Sequence, residues 1–521
     1  MLTVTLASAD SVALPAADDV SDKGRPPPPP PPNPCNASVT NAPQFHISNM
    51  GSGPHDANAI FKYKGQWHVM HQANWTDWAH LVSSDLVRWT RISSALSPNG
   101  DWDGSLTLLD GKPVIMYDCY NVPDCLPLNK TPPISGDSAV SAPRVTVGDP
   151  PHVGVAWPVD LADPNLTHWA KDAHNPIFFP GMRGGFAGPS NLWRGPSGEI
   201  NMAMALGRTV ARFQTTDERL HNWSVADPRF LPYGANNGHG TTGMMFFPLP
   251  TSTTLFSDEL PASLQLTHML GGIWSDHTDP FLVGTPWFVL GRYDNVTGDF
   301  TNTTEAQPLD SGKTVIWSTV GHVEDGRTLH LGWFNFGAGN ANCLTVPREV
   351  TYDPTLQKLM ALPVHELSLL HGASLATIKS AVTVPAGSSH SLVPHGTSFD
   401  LETAVSLPTA GKRVSFTLAV LAASATDAEV LIQVNVTAPS RSTTVDDTTT
   451  AVAHNVSVSV GVPGATRKQA NVNTTLSFLL PATESNLALR VLADRSIVSA
   501  TILHLSVLAT CGFATVHVQL R

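Results

Sequence analysis

From Phe45 to about Pro363 the chain is written in short apolar runs broken by turns. Ala59-Ile60-Phe61-Lys62-Tyr63 and Gln66-Trp67-His68-Val69-Met70 flank Lys64-Gly65. Ser105-Leu106-Thr107-Leu108-Leu109 and Pro113-Val114-Ile115-Met116-Tyr117 flank Asp110-Gly111-Lys112. Apolar runs of this length around an Asp-Gly turn predict β-hairpins. Meandering hairpins over such a span predict a β-propeller or a large barrel. Beyond Leu370 the pattern changes to strict alternation, as in Asn455-Val456-Ser457-Val458-Ser459-Val460. One apolar face per strand is the β-sandwich signature. The boundary between the two all-β regions is expected near residues 365–380.

Composition separates these regions further. All 13 Trp lie between Trp67 and Trp333, whereas Ser, Thr, Val and Ala dominate the second region. The whole 521-residue chain carries 39 Gly, 43 Pro and only 14% charged residues. That excludes a coiled coil or a continuous helical architecture, and the 42% hydrophobic content excludes global disorder. A formal net charge of −12 argues against binding a nucleic-acid backbone, which depends on Lys and Arg. No apolar run reaches the length of about 20 residues that a membrane span needs.

Ahead of Phe45, Pro26 to Pro32 form seven consecutive prolines, read as a polyproline II stalk. Residues 1–44 are therefore expected to be a disordered leader, with Leu2 to Ala9 a poor signal peptide because no basic segment precedes it. Ten Asn-x-Ser/Thr sequons, at Asn36, Asn74, Asn129, Asn165, Asn222, Asn295, Asn302, Asn435, Asn455 and Asn473, favour a secreted glycoprotein. The five cysteines are too few for a disulfide scaffold. Cys119 could bridge Cys125 and Cys343 could meet Cys511. No Cys-x-x-Cys pair suggests zinc, the 21 His read as structural, and no metal or cofactor is expected.

Chemistry concentrates between Gly53 and Ser105. His55-Asp56-Ala57-Asn58-Ala59 precedes the first hairpin, followed by Gln72, Trp78-Ala79-His80, Ser83 to Trp89, and Trp102-Asp103-Gly104-Ser105. Carboxylates serve as nucleophiles or acids at glycosidic bonds. Side-chain amides both donate to and accept from hydroxyls. The alternative reading of the same residues is a Trp-rich core with an Asp in a turn. The string Gly238-His239-Gly240-Thr241-Thr242-Gly243 formally matches a dinucleotide fingerprint, but Pro and Tyr precede it and Phe246-Phe247-Pro248 follows, so it reads as a turn.

These motifs resemble those of glycoside hydrolase family 32, the invertase and fructanase group. Its Asn-Asp-Pro-Asn-Gly element is matched by His55 to Ala59, and its Trp-Ser-Gly-Ser element by Trp102 to Ser105. Gly291-Arg292-Tyr293-Asp294, Leu331-Gly332-Trp333, Pro347-Arg348-Glu349-Val350 and Leu489 to Ser496 follow in the same order. The resemblance implies a five-bladed propeller over 45–368 and a sandwich over 369–521. It implies Asp56 as nucleophile, with Asn58, Gln72, Trp78, Trp102, Asp103 and Ser105 lining a pocket for sucrose, a fructan or another glycan. The Arg-Asp-Pro motif, however, falls on Phe186-Ala187-Gly188-Pro189, and the acid/base position falls on Thr242. Two of three expected carboxylates are replaced. Asp103 is then either a substitute acid or a solvated loop residue, and Glu199 is expected on a hairpin turn. The implied function is a β-fructofuranosidase-like hydrolase, with a non-catalytic, lectin-like binder as the alternative. The oligomeric state is open.

Overall fold

The computed structural model describes residues 2–9, 45–48, 54–73, 77–97, 101–119, 152–177, 188–206, 208–237, 239–249, 267–274, 285–309, 315–322, 326–334, 343–353 and 358–382. Further on it describes 389–391, 398–408, 412–420, 430–438, 453–461, 474–481, 485–494, 497–502, 505–510 and 516–520. Nearly every regular element among them is a strand.

Five antiparallel meanders of four or five strands follow one another along the chain. The first blade runs from Ala57–Tyr63 to Thr90–Arg91 and the second from Asp101–Leu109 to Trp169–Lys171. The third runs from Trp193–Arg194 to Ser224–Leu231, the fourth from Thr241–Pro248 to Phe300–Asn302, and the fifth from Val315–His322 to Lys358–Pro363. The hairpins form where the turn chemistry predicts them. Asp110 (φ 51°) and Gly111 (φ 77°) both take positive φ and join paired Leu109 and Lys112, as a two-residue primed turn requires. Blade strands are buried on both faces because blades stack on each other; Val114 to Cys119 are all fully buried. This stacking removes the alternation seen later in the sequence.

The ring closes on the segment ahead of the first blade. Ile47 bridges Leu344 of the fifth, accepting its N–H at 2.9 Å. The turn His365–Leu370 then leads into two six-stranded sheets. In the strand Ala453–Gly461, Val456 and Val458 are buried while Asn455 is exposed, so the alternation marks a half-buried sheet. Asp494 from the sandwich accepts the backbone N–H of Phe45 and of His46, each at 2.9 Å, and contacts His46 Nδ1 at 2.8 Å. A buried carboxylate thus ties the start of the propeller to the sandwich.

Two expectations need adjustment. Leu2–Ala9, inside the stretch expected to lack structure, forms a strand between His371–Val382 and Ser398–Ser406; its β-prone Leu-Thr-Val-Thr-Leu text suits pairing on both edges. The proline run lies outside the described residues. Cys343 is a buried free thiol, which overturns its pairing with Cys511. Cys119 is disulfide-bonded, and Cys125 lies outside the described residues.

Candidate active site

The innermost strands carry register shifts at one common end. They fall between Ala57 and Ala59, Asp101 and Gly104, Thr242 and Met245, and Val315 and Trp317. A bulge unpairs a residue and re-aims its side chain. Four blades therefore break their ladders at the same mouth of the central channel, and the first three breaks coincide with Asn58, Asp103 and the Thr242 corner.

On the first-blade side, Asp56 is held by its neighbours' backbone. His55 N–H donates to Gln72 O and Gln72 N–H to Asp56 O, both at 2.9 Å. Asp56 is 8% exposed, while Asn58 and Gln72 are fully buried. Asp103, from the second blade, is 3% exposed and hydrogen-bonds Asp56 side chain to side chain. It is therefore not a solvated loop residue. Burial raises the Asp56 carboxyl well above the usual carboxylate range, and the adjacent Asp103 raises it further. Burial likewise pushes Asp103 up to about 7. Two buried carboxyls in contact cannot both ionise cheaply, so the pair keeps one proton up to neutral pH.

A third carboxyl, Asp118, was missed in the sequence. It ends the strand Lys112–Cys119 and is fully buried. Burial raises it well above the usual range, and Asp103 adds to the rise. The available signal was a lone carboxylate closing an otherwise apolar strand. Asp118 Oδ2 accepts the Gly188 N–H at 2.8 Å.

Gly188 itself sits in a tight corner. Its φ is +42°, and a Cβ added there would stand 2.5 Å from Gly243 N and 2.7 Å from Gly243 Cα. Met244 N–H also donates to Gly188 O at 3.2 Å. Gly188 thus packs backbone against backbone on Gly243, with Thr242 Oγ1 3.4 Å from the same point. Asp118 is seated at that corner.

Buried polar atoms without a protein partner cluster at this mouth. They include both amide atoms of Asn58 and of Gln72, Asp103 Oδ1, Ser105 Oγ, Asp118 Oδ1 and Thr242 Oγ1. Such atoms are costly unless a ligand or water satisfies them. Other expected residues fall elsewhere. Trp78 is a core residue, wholly buried in the cluster with Phe61, Tyr63 and Met70. The backbone of Trp102 lies in the strand Asp101–Leu109, and its side chain is outside the described residues. Glu199 is buried away from this mouth, 3.9 Å from Arg212. His68 and His80 share a 2.9 Å contact, and burial lowers His68 to about 4, consistent with neutral structural imidazoles.

The family description "Glycosyl hydrolases family 32 N-terminal domain" matches residues 46–130. An insoluble β-fructofuranosidase isoenzyme of Arabidopsis thaliana is 26% identical over 381 residues, 65% of this chain and 62% of that protein. A cell-wall β-fructofuranosidase isozyme of Zea mays is 27% identical over 376 residues, 64% of this chain and 57% of that protein. The chain thus matches less than two thirds of these relatives' length. Fructan 1-exohydrolase IIa of Cichorium intybus superposes with a TM-score of 0.70 at 18% identity, covering 91% of this chain and 94% of that one. Exo-inulinase of Aspergillus awamori superposes with 0.63 at 17%, covering 92% and 94%. Together these likenesses support a relationship of this chain to the family 32 glycosyl hydrolases, on the five-bladed propeller and β-sandwich fold.

Proposed function

We propose that the protein hydrolyses β-fructofuranosides such as sucrose or fructans, with Asp56 as nucleophile and Asp118 as proton donor. The cluster of unpartnered buried amides, hydroxyls and carboxyls around Asp56 is the observation that carries this reading. A polyhydroxylated ring is the ligand class that satisfies so many donors and acceptors at once. Asp56 attacks the anomeric carbon while a protonated carboxyl delivers its proton to the leaving oxygen; water later releases the sugar from Asp56. Asp103 touches Asp56 and stands too close to straddle the bond, since retaining pairs sit about 5–5.5 Å apart. Burial, with a smaller push from Asp103, raises Asp118 well above the usual carboxylate range, which favours the protonated form a donor needs. The relatives' cell-wall names and the placement of the sequons support a secreted glycoprotein: Asn222, Asn295, Asn435 and Asn455 are exposed, and Asn165 and Asn302 half-buried.

A second reading, sugar binding without turnover, is favoured by the proton shared between Asp56 and Asp103 and by Thr242 at the acid position. Product release from sucrose, inulin and levan by the wild type and by Asp56→Asn separates the two. Release by the wild type alone, reduced more than about 10³-fold in the variant, supports the hydrolase. Equal release by both eliminates Asp56 as nucleophile. Heat of binding without release favours the binder, and no heat at millimolar sugar rejects both.

A further inference from the structure

A second cluster of chemistry lies on the outer rim, away from the innermost strands that carry Asp56 and Asp103. Asp172 and His174 follow the outermost strand of the second blade, Trp169–Lys171. His221 comes from the third blade, between Thr209–Thr215 and Ser224–Leu231. We propose that Asp172, His174 and His221 form a binding site for a divalent transition metal of the zinc class, linking the two blades.

The donor geometry carries the proposal. Asp172 Oδ1 lies 3.1 Å from His174 Nδ1 and 3.5 Å from His221 Nε2, and all three donor atoms fall within 4.8 Å of one another. Zinc binds nitrogen at about 2.0–2.1 Å and carboxylate oxygen at about 2.0–2.2 Å, so neighbouring ligands of a tetrahedral ion stand roughly 3.3–3.5 Å apart. The His221 contact lies at that spacing and the His174 contact slightly inside it. Two imidazoles and a carboxylate are a donor set suited to zinc, copper or nickel.

Both loops are held before any ion arrives. Asp172 N–H donates to Val155 O at 2.9 Å, and His174 N–H folds back onto Asp172 Oδ1 at 2.8 Å. Thr215 Oγ1 donates to His221 O at 2.6 Å, and Leu220 N–H to Asp217 O at 2.8 Å. Asp217 Oδ2 stands 3.8 Å from His221 Nδ1. That separation is beyond a direct hydrogen bond, but a carboxylate on the Nδ1 side still favours the tautomer that leaves Nε2 free for a metal. Nε2 of His221 is buried with no hydrogen-bond partner. The side chains of Asp172 and His221 are 17% and 18% exposed, so most of the ordering cost is met by the fold.

The three residues also line a cavity of about 490 Å³ together with Trp157 and Lys112. Three protein ligands beside open space leave a fourth position for water or a small anion. Sequence spacing could not reveal the site, because His221 stands far along the chain from His174 and only the stacking of blades joins them.

The test uses the full chain, stripped with chelator and titrated with Zn²⁺ and then Co²⁺. One equivalent should bind, Co²⁺ should show the intense visible absorption of a tetrahedral site, and the melting temperature should rise. His221→Ala and His174→Ala should each weaken binding more than about 100-fold, and Asp217→Asn about 10–100-fold. His174 is 69% exposed, so its variant keeps the fold, checked by equal melting of the metal-free proteins. Sugar binding and hydrolysis should be unchanged in all three. No uptake at micromolar metal, or uptake indifferent to His174→Ala and His221→Ala, overturns the proposal.

Discussion

The two halves of the central mouth have gone different ways. On the side of the first two blades, Asp56, Asn58, Gln72 and Asp103 are buried and polar, and the amides of Asn58 and Gln72 and Asp103 Oδ1 lack a protein partner. On the side of the third and fourth blades, Gly188 and Gly243 approach so closely that no side chain fits at 188. The first half keeps the cost of an exposed-donor pocket without protein partners, which persists only where a ligand or water offsets it. The second half is filled by backbone at Gly188 and Gly243. The contrast shows that the two sides of one mouth can differ in kind: one offers polar side chains, the other backbone packed on backbone. In the proposed mechanism the proton comes from Asp118 of the second blade.

Replacing that carboxyl should have the largest effect. Asp118→Asn keeps an oxygen for the Gly188 N–H but cannot deliver a proton, so fructoside hydrolysis should fall by about 10²–10⁴-fold. KM should hardly move; an unchanged rate would remove Asp118 from the mechanism.

The next effect tests the retained half through pH. Burial raises Asp103 to about 7, so the folded state holds a proton that the unfolded chain has released. That stability is fully present below about pH 4 and is lost as pH rises through about 7. A shift of this size corresponds to at most roughly 4 kcal/mol. Asp103→Asn should therefore melt higher than wild type at pH 8 and show a flatter melting profile from pH 4 to 8. A profile as steep as wild type would mean that Asp103 does not carry the pH dependence.

The smallest effect concerns the collapsed half. Gly188→Asp adds a carboxylate at this corner, yet its Cβ meets Gly243 backbone and its φ is left-handed. Destabilisation of about 2–3 kcal/mol with no gain in hydrolysis is expected, read by thermal melting and sugar release. Gain of activity at wild-type stability would show that the corner is open and the contrast between the halves mistaken.

Much of this molecule is legible in its text. The hairpins at Lys64-Gly65 and Asp110-Gly111 follow from turn chemistry, and the sandwich from alternation around Val456 and Val458. Asp56, Asn58 and Gln72 were also legible, because one short stretch of chain brings them together through a single hairpin. Trp78 was less so. An aromatic beside a polar motif can face the pocket or the neighbouring blade, and stacking of the second blade on the first settled it as core.

By itself, the sequence determined the all-β class, the change of pattern between its two parts and the neighbourhood of Asp56, since these rest on periodicity and turns within a few residues. Tertiary structure alone decided which distant groups meet. Asp118 reaches Gly188 across 70 positions of chain, Gly188 meets Gly243 from another blade, and His221 comes to Asp172. The physical reason is that ring closure sets these approaches: blade stacking fixes the spacing of side chains whose own local sequence carries no mark of their partner.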